Sequence, residues 1–124
     1  LKKKHQITSG NKKIIIESIS VQHGKIKSTC YLINNKLAYA SDISLFFEKD
    51  YKKLKNLEYL IIDCLWYRNH SAHFNLDQVL ELVKILTPKK TILTNMHSDL
   101  DYAKLKKRLP KNIIPGFDGM TVEL

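Results

Sequence analysis

No apolar run in this chain approaches the roughly 20 residues that a membrane-spanning helix needs. The runs Ile14–Ile16 and Leu60–Ile62 are short and read as buried strands. No signal peptide is visible, because Leu1-Lys2-Lys3-Lys4 leads into polar residues rather than an apolar stretch. Cysteine is scarce: Cys30 and Cys64 stand 34 positions apart inside apolar runs. They are expected to be buried free thiols in a reducing cytoplasm rather than a disulfide. Arginine is scarcer than the net charge of +9 suggests. Of 21 basic residues only Arg68 and Arg108 are arginines. Bidentate recognition of phosphate and base edges favours arginine, so a nucleic-acid partner is not expected from composition. Internal repeats and linkers are absent as well.

What remains is one domain's length, 124 residues, with a hydrophobic fraction of 44% that can form a core. The segment Lys2–Lys13 is polar and basic and is expected to be an exposed leading segment. Lys12–Gln22 reads as a strand through Ile14, Ile16, Ile19 and Val21. Thr29–Ile33 and Leu37–Ala40 flank Asn34-Asn35-Lys36, a hairpin signal because asparagine tolerates positive φ. Ser44–Leu57 is amphipathic and partly helical. Tyr59–Ile62 is uniformly apolar, as a central strand is. Asn75 with Gln78 three residues on forms a capping box. Val79, Leu82, Val83 and Leu86 share one face of the helix that follows, and Thr87-Pro88 ends it. Thr91–Thr94 is a further strand. Ser98 or Asp99 caps a helix with Tyr102, Leu105 and Leu109 that stops at Pro110, and Met120–Leu124 is expected as a closing strand. The order predicts an α/β (α+β) domain: a mixed sheet with helices on one face.

Four strand ends carry groups able to bind a metal or move a proton: His23, Asp42, Asp63 and, three residues past Thr94, His97. Rigid strands aim the loops that follow them, so strand ends on a common edge would make a site. Imidazole and carboxylate together suit Zn²⁺, Mn²⁺ or Fe²⁺. A second cluster, Arg68-Asn69-His70-Ser71-Ala72-His73, lies directly before the capped helix. It reads as an anion pocket, with a solvated loop as the bland alternative.

The order of these motifs resembles the phosphodiesterases of the metallo-β-lactamase fold. It runs His-Gly at 23–24, Ala-Tyr-x-x-Asp ending at Asp42, Ile-Ile-Asp ending at Asp63, Arg-x-His-x-x-His-Phe from Arg68, Leu-Thr-Asn-Met-His-x-Asp-Leu-Asp-Tyr from Leu93, and Asp-Gly at 118–119. The branch that cleaves cyclic ribosyl phosphates is the most similar, and ribonuclease Z is more distant. The resemblance covers roughly Ile19 to Leu124. It implies His23, Asp42 and His97 as metal ligands, with Asp42 bridging two divalent ions (Zn or Mn). It implies His73 and His70 as catalytic groups at the substrate phosphate, and Arg68 and Asn95 as substrate-binding residues.

The fold's other signature, His-x-His-x-Asp-His, is absent from the chain. Residues 1–124 are therefore expected to be the C-terminal half of an αββα sandwich, with a missing N-terminal half as partner. Leucine rather than methionine at position 1 points the same way. The expected activity of the complete protein is cleavage of a small phosphodiester by a metal-activated hydroxide in the cytoplasm, with this half inactive by itself. A homodimer is an allowed assembly. The alternatives are a ribonuclease Z-like RNA nuclease and a non-catalytic basic module that binds nucleic acid. Tight nucleic-acid binding without metal would single out the module.

Overall fold

A computed structural model describes residues 3–124. Seven strands form one mixed sheet in sequence order: β1 (Lys4–Ser9), β2 (Lys12–His23), β3 (Ile26–Ile33), β4 (Leu37–Ala40), β5 (Tyr59–Asp63), β6 (Lys90–Thr94) and β7 (Ile113–Pro115). The first four pair antiparallel, and β4 to β7 pair parallel. A 3₁₀ turn (Glu48–Asp50) runs into α1 (Tyr51–Leu54) between β4 and β5; α2 (Leu76–Leu86) links β5 to β6, and α3 (Tyr102–Arg108) links β6 to β7.

Local chemistry accounts for the element ends. Asn34 and Asn35 both adopt positive φ at the β3–β4 turn, the conformation that asparagine tolerates best after glycine. The Asn75 side chain accepts from the Gln78 amide, and the Gln78 side chain accepts from the Asn75 amide, closing the expected capping box of α2. Val79, Leu82, Val83 and Leu86 are buried, and Thr87 in the left-handed region terminates the helix.

All three helices bury their apolar side chains against the same sheet face, on Ile19, Val21, Cys30, Leu32, Ala38, Ala40, Leu60, Ile62 and Leu93. Both cysteines are free and buried there. The opposite face carries Ile16, Tyr31, Ile33, Tyr39 and Ile61 without a helix over it, and Tyr31 and Tyr39 are 44% and 38% exposed. Helices on one side of a mixed sheet is the predicted layering. Among the described residues no helix is long and apolar enough to cross a membrane.

Four local expectations are corrected. Residues 4–9 of the leading segment are exposed, yet they form a strand paired with β2; positions 1 and 2 lie outside the described residues. Ile14–Ile16 is not a buried run, since Ile14 and Ile15 are 42% and 40% exposed. Residues 12–15 of β2 extend past the end of β3, so β1 is the one strand that flanks them among the described residues. Helix α3 is capped by Asp101, whose side chain accepts from the Lys104 amide, rather than by Ser98 or Asp99. Strand β7 is Ile113–Pro115, because its register beside β6 is set by Thr91 and Leu93; residues 120–124 form no strand.

Glu17 is nearly buried on the helix-side face of β2 and meets two lysines, Lys53 of α1 at 2.5 Å and Lys4 of β1 at 3.5 Å. The hydrogen bond from Lys53 holds its carboxyl below the ordinary value, against the opposing effect of burial. A carboxyl lowered in the folded state contributes stability above its unfolded value, and that stability is lost as pH falls through its folded value. Both lysines are half exposed or more, so screening limits the contribution to about 1 kcal/mol or less. In urea melts Glu17→Gln should be the less stable protein at pH 7, with the gap closing as pH drops below about 4. A gap of the same size at pH 7 and pH 3 would show that the ion pairs contribute nothing.

Candidate metal and phosphate site

Strand direction decides where the ligand-type residues meet. β2 and β4 each run antiparallel to β3, so β2 runs the same way as β4, β5 and β6. Their C-terminal ends share one sheet edge. His23 closes β2, Asp42 follows β4, Asp63 closes β5 and Asn95 follows β6.

His23, Asp42 and His73 converge at this edge, each offering a ligand atom within 4.8 Å of the others. The rings of His23 and His73 meet edge to face, 4.7 Å between centroids. His23 Nδ1 lies 2.7 Å from the Ala72 carbonyl oxygen. A carbonyl can only accept, so Nδ1 carries the proton and Nε2 keeps its lone pair. That arrangement, one ring nitrogen tied to a carbonyl and the other free, is typical of a metal-binding histidine. Gly24 makes it feasible: φ is +58°, and a Cβ there would lie 3.1 Å from that of Ala72. Asp42 is exposed, with Ser41 Oγ at 3.4 Å from its carboxylate. Two imidazoles and a carboxylate fit Zn²⁺ or Mn²⁺ as a donor set.

Behind His73 stands Asp63, fully buried. His73 Nδ1 donates to Asp63 Oδ2 at 2.5 Å, the Ile43 amide donates to the same oxygen at 3.2 Å, and Asn95 Nδ2 donates to Oδ1 at 3.3 Å. Burial pushes the Asp63 carboxyl above its ordinary value, opposed first by the His73 hydrogen bond and then by the Ile43 amide. Asn95 Nδ2 also approaches His73 Nδ1 at 3.4 Å, but that nitrogen's proton already points at Asp63, so the contact is not a hydrogen bond.

His97, expected beside Asp42, is corrected. It is exposed and stacks on Trp66, 5.0 Å between centroids and 28° between planes. Its Nδ1 accepts from the Asp99 amide, and its own amide donates to the Leu65 carbonyl. Asn95 takes positive φ just after β6, which turns the chain so that Asn95, not His97, faces Asp63 and His73. His70 lies on the rim, its ring 5.1 Å from that of His73. Arg68 sits over Trp66 at 5.3 Å, with no carboxylate partner among the described residues. Asp63, one of the four strand-end groups, received no role from the resemblance, and the structure makes it the buried partner of His73. Its signal was an acid ending a wholly apolar strand, where an unpaired charge is untenable.

Replacing His73 should expose how Asp63 is held. His73→Ala removes its shortest hydrogen bond and should cost about 1–3 kcal/mol at pH 7. The carboxyl then rises further above its unfolded value, so the folded state binds the extra proton and stability recovers as pH falls. Urea unfolding at pH 7.5 and pH 5 measures this; an equal loss at both would mean the pair is not electrostatically coupled.

No family model matches the chain, and no curated protein is significantly similar to it. Solved structures are. One described as a new diphosphatase from the PhnP family superposes with a TM-score of 0.84 and 25% identity, over 94% of this chain and 44% of its own. Human tRNase Z, short form, gives a TM-score of 0.69 at 12% identity over 98% of this chain and 46% of its own. The fold protein YhfI from Bacillus subtilis gives 0.67 at 15% identity over 94% and 51%. The chain spans about half the length of these structures. Their shared architecture over nearly all of the described residues makes this a chain of the metallo-β-lactamase fold.

Proposed function

We propose that this chain supplies half the site of a metal-dependent hydrolase that cleaves a phosphodiester. The convergence of His23, Asp42 and His73 carries the reading. Support comes from the likeness to a diphosphatase, at 25% identity. His23 and Asp42 are the ligands in this proposal. Divalent ions held there, two in the completed fold, would supply Lewis-acid activation and a nucleophile at neutral pH. The remaining ligands would come from an N-terminal half.

His73 is assigned to the substrate. Asp63 fixes its ring through Nδ1, leaving Nε2 directed at the cluster. Protonated at both nitrogens, with the Asp63 carboxylate as counter-ion, it can hydrogen-bond a phosphate oxygen through Nε2 or give that proton to the leaving alkoxide. Asp63 is then a positioning residue, and Asn95 holds the second oxygen of Asp63. Arg68 adds positive charge on the same loop, where a phosphate would approach, and His70 lies on the rim beside His73.

Zinc binding to the chain itself, read with a chromophoric competitor, tests the ligand assignment. The two donors left in this chain should give weak binding, lost in His23→Ala and in Asp42→Asn and kept in His97→Ala and His73→Ala. Loss of zinc in His73→Ala would make His73 a ligand and end the division of roles. Turnover of bis(p-nitrophenyl) phosphate with Mn²⁺ or Zn²⁺ should be undetectable for the 124-residue chain, and robust turnover would refute the half-site reading. In a protein whose fold is completed by an N-terminal half, His73→Ala should lower kcat/KM by about 10²–10⁴-fold with metal content intact.

A further inference from the structure

The chain's positive charge is not spread evenly. From Tyr102 to Phe117 there are five basic side chains, Lys104, Lys106, Lys107, Arg108 and Lys111, and no acidic one. More than half of the net charge of +9 thus lies in 16 of 124 residues. All five side chains belong to exposed residues. The flanking acids are Asp101, engaged as the α3 cap, and Asp118. Folding closes this segment on itself at an outer edge of the sheet, where among the described residues β7 pairs with β6 alone. Between α3 and β7 lies a groove of about 440 Å³, lined among others by Tyr102, Lys106, Lys111, Pro115 and Phe117. Phe117 is 56% exposed and Tyr102 37%, large apolar rings left in water. Their rings meet edge to face at 6.2 Å, and Lys106 Nζ stands 5.7 Å from the Tyr102 ring centre.

We propose that the α3–β7 edge binds a single-stranded nucleic acid, with bases against Phe117 and Tyr102 and the backbone along the lysines. Exposed aromatic faces beside an unopposed cationic strip are what single-strand binding uses: stacking that any base satisfies, and charge that tracks the phosphates. The scarcity of arginine argues against reading base edges in a duplex groove, but not against this mode, for which lysine point charges suffice. An acidic protein would be served by the lysines and would leave the phenyl ring unused. This edge is separate from the His23–Asp42–His73 cluster, and the inference does not rest on the hydrolase reading.

The test is fluorescence anisotropy of a labelled 12-nucleotide oligouridine against the full 124-residue chain, in EDTA, from 50 to 200 mM salt. Binding should be measurable at 50 mM salt and fall as salt rises, by about 0.7 per neutralised phosphate in the log–log slope. Lys106→Glu/Lys111→Glu should remove it. Phe117→Ala should weaken it about tenfold, the scale of one stacked base. The control is Lys12→Glu/Lys13→Glu on the β1–β2 hairpin, which changes net charge equally and should retain most of the affinity. Circular dichroism checks that the variants are folded. Three results overturn the proposal: no binding at 50 mM salt, equal losses in the two charge-reversed doubles, or no effect of Phe117→Ala. Equal affinity for anionic phosphatidylserine vesicles, with the same loss in Phe117→Ala, would overturn it in favour of a membrane surface.

Discussion

A carboxylate with no exposure to solvent sits at the end of β5, and the candidate site is organised around it. Asp63 has no lysine or arginine beside it among the described residues; its charge is met by the His73 ring, the Ile43 amide and the Asn95 side chain. Each of these donors belongs to a different loop: after β4, before α2, and after β6. A buried charge left unpaired is costly, so the three loops must come to the same point for the chain to fold. Backbone bonds reinforce the constraint, from Phe74 to Ile43, from Leu65 to Phe74 and from His97 to Leu65.

The consequence is that two imidazoles of the candidate site are oriented by hydrogen bonds within the chain. His73 is oriented by the carboxylate beneath it, and His23 by the carbonyl of Ala72, the residue just before His73. The two imidazoles are thus set by one short stretch of loop, which in turn is anchored by the capping box of α2. Preorganisation of this kind is what a metal or phosphate site requires, since side chains that must be reordered on binding weaken it. The sheet face opposite the helices has a different character. Ile16, Tyr31, Ile33, Tyr39 and Ile61 form an apolar surface without a helix over it, in a chain that spans about half of the structures it resembles.

Strand β2 shows why a sequence pattern can mislead locally. Ile14 and Ile16 point to the face without helices, whereas Ile19 and Val21 point to the core. The apolar set changes face between positions 16 and 19, so the strand reads as continuously hydrophobic although it serves two surfaces. A similar ambiguity surrounds residues 95–97. His97 was expected as a metal ligand and Asn95 as a substrate-binding residue, and alternation along an extended chain would have aimed them alike. The positive φ at Asn95 breaks that alternation.

The elements themselves were legible in the sequence: the capping box at Asn75, the asparagine turn at 34–35, the apolar run of β5 and the helical stripe of α2 are local signals, set by residues within a few positions of one another. So was the set of chemically able residues at strand ends. Which of them meet was decided only by the tertiary structure. Strand direction put His23, Asp42 and Asp63 on one edge, and burial of Asp63 selected His73 and Asn95 as its partners. The stacking of His97 on Trp66 took that residue out of the group. Contacts between residues 10 to 50 positions apart depend on sheet register and on where a charge becomes buried, and neither is written in any short stretch of sequence.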